Sequence, residues 1–208
     1  MILPNPWDMF DILGRVALIT GAFGSVAMRV LAGAGCRLVL AAECRSGGAE
    51  VLEVSARPLS EMDLADMVAR AVAAFGALDI LVVASGMNKI AKIDAMALDD
   101  FASVMAANMM QTWLLARAAT VELNRHGSDN IVLVSSARGP LGHPAGYSAE
   151  WASKAAVDGM TTALGCELGP LGITVNAIAP TVFRFPLTAW MFENTDNARA
   201  KQAVGRAG

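Results

Sequence analysis

Short apolar runs alternate along the chain with longer segments in which apolar residues recur at helical spacing. Turn-forming or charged residues flank the runs, which is typical of buried parallel strands. The runs predict strands at 16–20, 37–41, 50–54, 80–84, 131–134 and 174–178. The longer segments predict helices at 25–34, 60–75, 99 to about 125 and 149–168. Ser60 is expected to cap the second of these helices, with Asp63 placed for a capping-box contact. This alternation predicts one domain with a doubly wound α/β fold and a parallel sheet in the strand order 3-2-1-4-5-6.

The composition is that of a folded protein with a large core. Of the 208 residues, 55% are hydrophobic and 17% are charged, which excludes a disordered chain. The net charge of −3 gives no reason to expect a nucleic acid or an anionic membrane as a partner. The longest apolar runs fall short of the roughly 18 residues of a membrane helix, and the N-terminus lacks the pattern of a signal peptide.

Cysteine and histidine usage points away from a metal site. Cys36, Cys44 and Cys166 are widely spaced, and we interpret them as reduced, packed thiols of a cytoplasmic protein. His126 and His143 are isolated in loops, whereas metal sites need clustered ligands. We therefore expect no metal ion.

The candidate chemistry lies after the fifth predicted strand. That strand ends at Ser135 and Ser136, and the next predicted helix carries Lys154 about one turn from its start. Such strand-end serines facing a lysine are a common way to build an active site in an open α/β sheet. The stretch resembles the catalytic region of the short-chain dehydrogenase/reductase family, in which serine, tyrosine and lysine follow in this order. Further segments with the same resemblance are 14–22, 78–82, Asn108 and 172–180.

The resemblance implies a Rossmann-like fold and a set of catalytic roles. Ser136 would polarise a substrate carbonyl or hydroxyl, Lys154 would hold the nicotinamide ribose, and Asn108 would hold a water in a proton relay. Glu150 stands where the family has its tyrosine, four residues before Lys154. A buried carboxyl can exchange protons, but this spacing also suits an ion pair without chemistry. Tyr147 lies seven residues before Lys154, ~10 Å along a helix, and is a weak substitute for the family's tyrosine.

Two of these residues also have plain structural interpretations. Ser136 is equally explained as a strand-end serine that satisfies backbone groups. Asn108 is equally explained as a helix asparagine bonded to neighbouring backbone. The sequence leaves both alternatives open.

The resemblance implies a bound NAD(H) or NADP(H), although the glycine loop departs from the family pattern. The family has Thr-Gly-x-x-x-Gly-x-Gly, whereas this chain reads Thr-Gly-Ala-Phe-Gly-Ser-Val-Ala from Thr20. The loop with its helix start still suits an anion, but a tight turn without a ligand explains it equally. Glu43 would favour NAD(H) by bonding the ribose 2′-hydroxyl, unless it is simply an exposed turn acid. The cofactor positions implied are Gly21, Phe23, Gly24, Glu43, Gly86, Lys154 and Pro180.

Three hypotheses about function remain. The first is an NAD(P)(H)-dependent oxidoreductase for a small hydrophobic alcohol or ketone, since the segment near Trp190 is apolar. The second is a degenerate, non-catalytic member of the family that acts by binding. The third is a lyase or dehydratase that uses Glu150 without a cofactor.

The resemblance also implies a homo-oligomer, either a dimer or a tetramer. It further implies a chain that lacks the family's last helix and strand, so that the sixth strand is an exposed edge.

Overall fold

A computed structural model describes residues 11–21, 24–41, 51–53, 60–123, 129–137 and 145–181. Its six strands are β1 Val16–Thr20, β2 Arg37–Ala41, β3 Val51–Glu53, β4 Ile80–Val83, β5 Asn130–Val134 and β6 Thr174–Ile178. They form one parallel sheet in the order β3-β2-β1-β4-β5-β6. The predicted α/β class and strand order are confirmed, and β1, β2 and β6 have the predicted bounds.

The described helices are α1 Gly24–Gly33, α2 Glu61–Phe75, α3 Leu98–Met105, α4 Gln111–Leu123 and α5 Ser148–Leu168. At the start of α2 the capping box read from the sequence is present. The backbone N–H of Asp63 donates to the Ser60 hydroxyl, and the backbone N–H of Ser60 donates to the Asp63 carboxylate. These two bonds satisfy amides that have no partner within the helix.

The predicted helix from 99 to about 125 contains an irregularity that the apolar spacing did not indicate. A π-helical turn, Ala106–Met110, separates α3 from α4, and residues 124–128 lie outside the described part. A π turn takes up one extra residue and shifts the phase of the helix that follows, which apolar spacing alone does not reveal. Here the turn carries Asn108, which is only 1% exposed.

The core occupies both faces of the sheet, because successive side chains of a strand point to opposite sides. Every residue of β1 and β4 is buried. On one face, Leu18 and Leu81 pack in a cluster with residues of α2, α4 and α5. On the other face, Ile19 packs in a second cluster with residues of α1. The middle of the sheet is therefore covered on both faces. In contrast, β6 forms an edge of the described sheet, with four of its five residues exposed.

Two of the three cysteines lie in the described residues. Cys36 is buried, and burial, followed by the charge of Asp79, raises the pKa of its thiol. Cys166 is exposed on α5, so the expectation of a packed thiol is wrong there. Cys44, like His126 and His143, lies outside the described residues. Among the described helices, none has the length and apolar character needed to cross a membrane.

Candidate active site

The candidate site lies at the carboxyl edge of the sheet, where the segments after β4 and β5 meet the π turn and the start of α5. The segment after β4 supplies Gly86, Met87 and Asn88, and the π turn supplies Asn108. The first turns of α5 supply the residues from Glu150 to Lys154. The fold thus brings together groups from four separate parts of the chain.

Asn108 joins three of these parts through its side-chain amide. Its Oδ1 accepts a hydrogen bond from the backbone N–H of Met87 at 2.7 Å. Its Nδ2 donates to the carbonyl of Met87 at 2.9 Å and to the hydroxyl of Ser153 at 2.9 Å. Asn108 is thus bonded to backbone, but to that of a residue 21 positions away in the segment after β4. Its role in holding a water stays a prediction.

Lys154 directs its ammonium group to the end of β5. The Nζ donates to the carbonyl of Val134 at 2.6 Å. Burial lowers the pKa of Lys154, and the negative charges of Glu150 and Asp158 oppose that shift. Burial penalises the charged form of a lysine, while nearby carboxylates favour it. The ammonium is therefore partly withdrawn from water beside the sheet edge.

Glu150 makes a contact that the sequence did not indicate. Its Oε2 accepts a hydrogen bond from the Asn88 side-chain amide at 2.9 Å. Its backbone carbonyl accepts one from the Ser153 hydroxyl at 2.6 Å. The two charged groups of the expected Glu150–Lys154 pair each have a partner of their own, Asn88 and the Val134 carbonyl. The carboxylate still acts electrostatically on Lys154 by raising its pKa.

The two serines after β5 differ in their environment. Ser135 is 2% exposed, and its hydroxyl donates to the backbone carbonyl of Lys154 at 3.3 Å. Ser136 follows it and is half-buried. Ser135 therefore ties the end of β5 to α5, a role that the sequence analysis did not assign. The substrate-polarising role of Ser136 stays a prediction.

Tyr147 lies directly before α5, and its ring is stacked on that of Trp151. The ring centroids are 6.0 Å apart, with 16° between the planes. The tyrosine thus has an aromatic partner in the first turn of α5. A catalytic part for Tyr147 stays a weak alternative.

The positions implied for a cofactor are partly described. Gly21 follows β1 with a φ of +80°, and a Cβ there would lie 2.2 Å from the backbone nitrogen of Ser85. This close approach brings together the ends of β1 and β4, which is where the strand order reverses and where open sheets of this type bind ligands. Gly24 begins α1, and Pro180 follows β6 with its carbonyl accepting from the Ala137 amide. Phe23 and Glu43 lie outside the described residues.

Gly86 lies between the side chains of Asn108 and Lys154. A Cβ built on Gly86 would lie 2.9 Å from Asn108 Oδ1 and 3.9 Å from Lys154 Nζ. The absence of a side chain here keeps backbone exposed between an amide and a cation. A cation at this edge suits a nicotinamide ribose, whose hydroxyls Lys154 would bind.

A sheet whose order reverses beside such a site defines the class of dinucleotide-binding α/β proteins. The family model described as short chain dehydrogenase matches residues 15–196. The chain therefore belongs to the short chain dehydrogenase family of oxidoreductases. Members of this family generally bind NAD(H) or NADP(H).

Individual relatives agree with this assignment. An uncharacterized oxidoreductase of Mycobacterium tuberculosis (strain ATCC 25618 / H37Rv) is 46% identical over 204 residues, which cover 92% of this chain and 76% of the relative. A 3-alpha-(or 20-beta)-hydroxysteroid dehydrogenase of the same strain is 31% identical and covers 94% of this chain and 78% of its own. The solved structure of a putative short-chain alcohol dehydrogenase from Sinorhizobium meliloti 1021 is 27% identical. It superposes with a TM-score of 0.83 over 90% of this chain and 80% of that one.

Proposed function

We propose that the protein transfers hydride between NAD(P)(H) and an alcohol or ketone, with Glu150 exchanging the proton. The observation that carries this proposal is the position of Lys154 Nζ, which lies beside the bare backbone of Gly86 at the end of β4. Family membership supports a nicotinamide cofactor at this edge. The geometry supports a cation placed to hold it.

Bound NAD(P)(H) would supply the hydride acceptor or donor. The Lys154 ammonium has three donors, of which one binds the carbonyl of Val134. The remaining donors suit ribose hydroxyls. Ser136 would polarise the substrate oxygen.

Glu150 replaces the family's tyrosine as the proton-exchanging group in this proposal. During alcohol oxidation its carboxylate accepts the hydroxyl proton, and during ketone reduction its carboxyl returns that proton. Proton transfer by a positioned side chain contributes typically 10²–10⁴-fold in rate. The charge on Lys154 lies close enough to couple with the carboxylate, as the pKa of Lys154 records.

An apolar alcohol or ketone is the proposed substrate class. The segment after β4 exposes three large apolar side chains, Met87, Ile90 and Ile93. A relative of 31% identity is named as a hydroxysteroid dehydrogenase, which supports an apolar substrate here as well. The apolar segment near Trp190 lies outside the described residues.

Cofactor binding is the first test. Calorimetry with NADH and NADPH should give binding in the micromolar range, about −8 kcal/mol, with NADH preferred because of Glu43. Lys154→Met should weaken that binding, whereas Asn176→Ala, an exposed change on β6, should leave it intact. No binding of either nucleotide at millimolar concentration would refute the nicotinamide mechanism.

Turnover of apolar alcohols and ketones then distinguishes an enzyme from a degenerate binding protein. Glu150→Gln should lower kcat by about 10²–10⁴-fold at unchanged cofactor affinity, and Glu150→Tyr should raise activity above that of the parent. Cofactor binding without turnover in the parent or in Glu150→Tyr would favour the non-catalytic alternative. Activity that survives Glu150→Gln would exclude Glu150 as the proton-exchanging group.

We also propose that the protein forms a homo-oligomer through the outer surface of α4. The helix and the π turn before it expose Met110, Trp113 and Val121, and the guanidinium of Arg117 lies 5.5 Å from the Trp113 ring centroid. Light scattering should give the mass of a dimer or tetramer, and Trp113→Glu should reduce it. A monomer at micromolar concentration would contradict the proposal.

The cytoplasmic location read from the cysteines stays a prediction.

A further inference from the structure

We propose that Asn88 is a positioning residue that aims the Glu150 carboxylate. This inference rests on the proposed function, in which Glu150 exchanges the substrate proton. The contact that suggests it is the hydrogen bond from Asn88 Nδ2 to Glu150 Oε2, 2.9 Å long and between residues 62 apart in the chain. Asn88 is exposed, so the bond can orient Glu150 only if the backbone of Asn88 is itself fixed.

The chain on the amino side of Asn88 is fixed by Asn108. The amide of that buried side chain binds both the N–H and the carbonyl of Met87, at 2.7 and 2.9 Å. Two hydrogen bonds to one residue fix the peptide planes on both of its sides. The second of these planes includes the backbone nitrogen of Asn88.

The chain on the carboxyl side of Asn88 is fixed against the start of α5. The backbone N–H of Ala91 donates to the carbonyl of Gly146 at 3.0 Å. Gly146 has a φ of +86°, and a Cβ there would lie 2.5 Å from the carbonyl carbon of Ala91. The segment from Met87 to Ala91 is therefore attached at both ends, and Asn88 lies between the two attachments.

The backbone of Glu150 is attached to the same network. The hydroxyl of Ser153 donates to the carbonyl of Glu150 and accepts from the Nδ2 of Asn108. These hydrogen bonds and the peptide bond between Met87 and Asn88 form a closed ring. The ring contains Asn88, Glu150, Ser153, Asn108 and Met87. Both ends of the Glu150 side chain are thus fixed by one network, at the backbone through Ser153 and at the carboxylate through Asn88.

This arrangement matters because of the residue at position 150. A glutamate has three rotatable side-chain bonds and loses considerable rotamer freedom when it is held in one geometry. A misplacement of about 1 Å can lower a rate about 10²-fold. An amide donor at Oε2 limits the orientations of the carboxylate without removing its charge. Asn88 would therefore act on kcat and leave cofactor binding to Lys154.

The contact itself is tested by NMR, independently of turnover. The carboxyl carbon of Glu150 is assigned by its loss in Glu150→Gln, and the side-chain amide of Asn88 by its loss in Asn88→Ala. We expect the Glu150 signal to shift in Asn88→Ala and the Asn88 amide signal to shift in Glu150→Gln. Asn176→Ala, which removes another exposed asparagine, should change neither. Unshifted signals in both variants would overturn the proposal whether or not the protein turns over a substrate.

The kinetic test uses a double-mutant cycle. Asn88→Ala should lower kcat about tenfold or more while KM and the NADH affinity stay unchanged, and Asn88→Asp should lower it further because two carboxylates would face each other. In the Glu150→Gln background, Asn88→Ala should have no additional effect. An unchanged kcat in Asn88→Ala, or an equal loss in both backgrounds, would overturn the positioning role. Absence of turnover in the parent would tell against the proposed function alone, and the NMR shifts would still decide on Asn88.

Discussion

Removal of the Asn108 side chain tests whether its hydrogen bonds hold the candidate site together. In Asn108→Ala, three hydrogen bonds disappear, two to the backbone of Met87 and one to the hydroxyl of Ser153. Each such bond contributes about 1 kcal/mol net, so the expected loss of stability is about 3 kcal/mol. Met87 lies near the surface, where water can replace its bonds, whereas Ser153 is 0% exposed and keeps only its bond to Glu150.

Urea unfolding followed by tryptophan fluorescence measures this loss. In thermal unfolding, the same loss of about 3 kcal/mol corresponds to a fall in Tm of roughly 6–12 °C for a domain of this size. Asn176→Ala, at an exposed position on β6, serves as the matched control and should stay within about 0.5 kcal/mol of the parent.

Asn108→Asp separates hydrogen bonding from side-chain volume. An aspartate nearly preserves the volume but loses both Nδ2 donors and turns a carboxylate oxygen towards the carbonyl of Met87. If the hydrogen bonds stabilise the site, this variant should lose at least as much stability as Asn108→Ala. A loss below about 1 kcal/mol in Asn108→Ala, or an Asn108→Asp variant as stable as the parent, would show that these hydrogen bonds do not stabilise the site.

Three further predictions concern single positions. Glu150→Gln should lower the pKa of Lys154 further, because the carboxylate favours the ammonium form; ¹³Cε NMR titration measures the midpoint, and an unchanged or higher midpoint would contradict the coupling. Gly21→Ala should cost well over 3 kcal/mol in urea unfolding, because its Cβ would meet the backbone of the β4 end, whereas Gly76→Ala, with a similar positive φ and open space, should cost about 1–2 kcal/mol. Ser60→Ala should cost about 1 kcal/mol through loss of the helix cap, and unaltered stability would show that the cap contributes nothing.

The bounds of most helices and strands can be read from the amino-acid pattern to within a few residues. Apolar runs predicted all six strands, because hydrophobic periodicity reflects which face of an element is buried. The alternation of these strands with helices predicted their order in the sheet. Ser60 and Asp63 predicted a capping box because both partners lie within one helical turn. The motif around Lys154 predicted that this residue lies beside the end of β5, where its Nζ donates to the carbonyl of Val134.

The hydrogen-bond partners within the candidate site depend on the tertiary structure. The π turn at Asn108 changes the phase of a helix by one residue, and the apolar pattern on either side is equally compatible with a continuous helix. The spacing of Glu150 and Lys154 suits an ion pair between them. In the folded chain the Glu150 carboxylate accepts a hydrogen bond from Asn88, and the Lys154 ammonium donates one to the carbonyl of Val134. The sequence did not indicate the long-range hydrogen bonds made by the side chains of Ser135, Ser153 and Asn88. Their partners in these bonds lie 19 to 62 residues away in the chain and come close only in the folded protein.

The physical reason for this division is the range of the interactions. Helix capping, strand formation and apolar periodicity depend on neighbours within about one turn, so the sequence carries them directly. The partners of Asn88, Asn108 and Lys154 depend on which strand ends and helix starts the sheet brings together. Residues that are distant in the chain meet only after the core has packed, and the geometry of this candidate site belongs to that level.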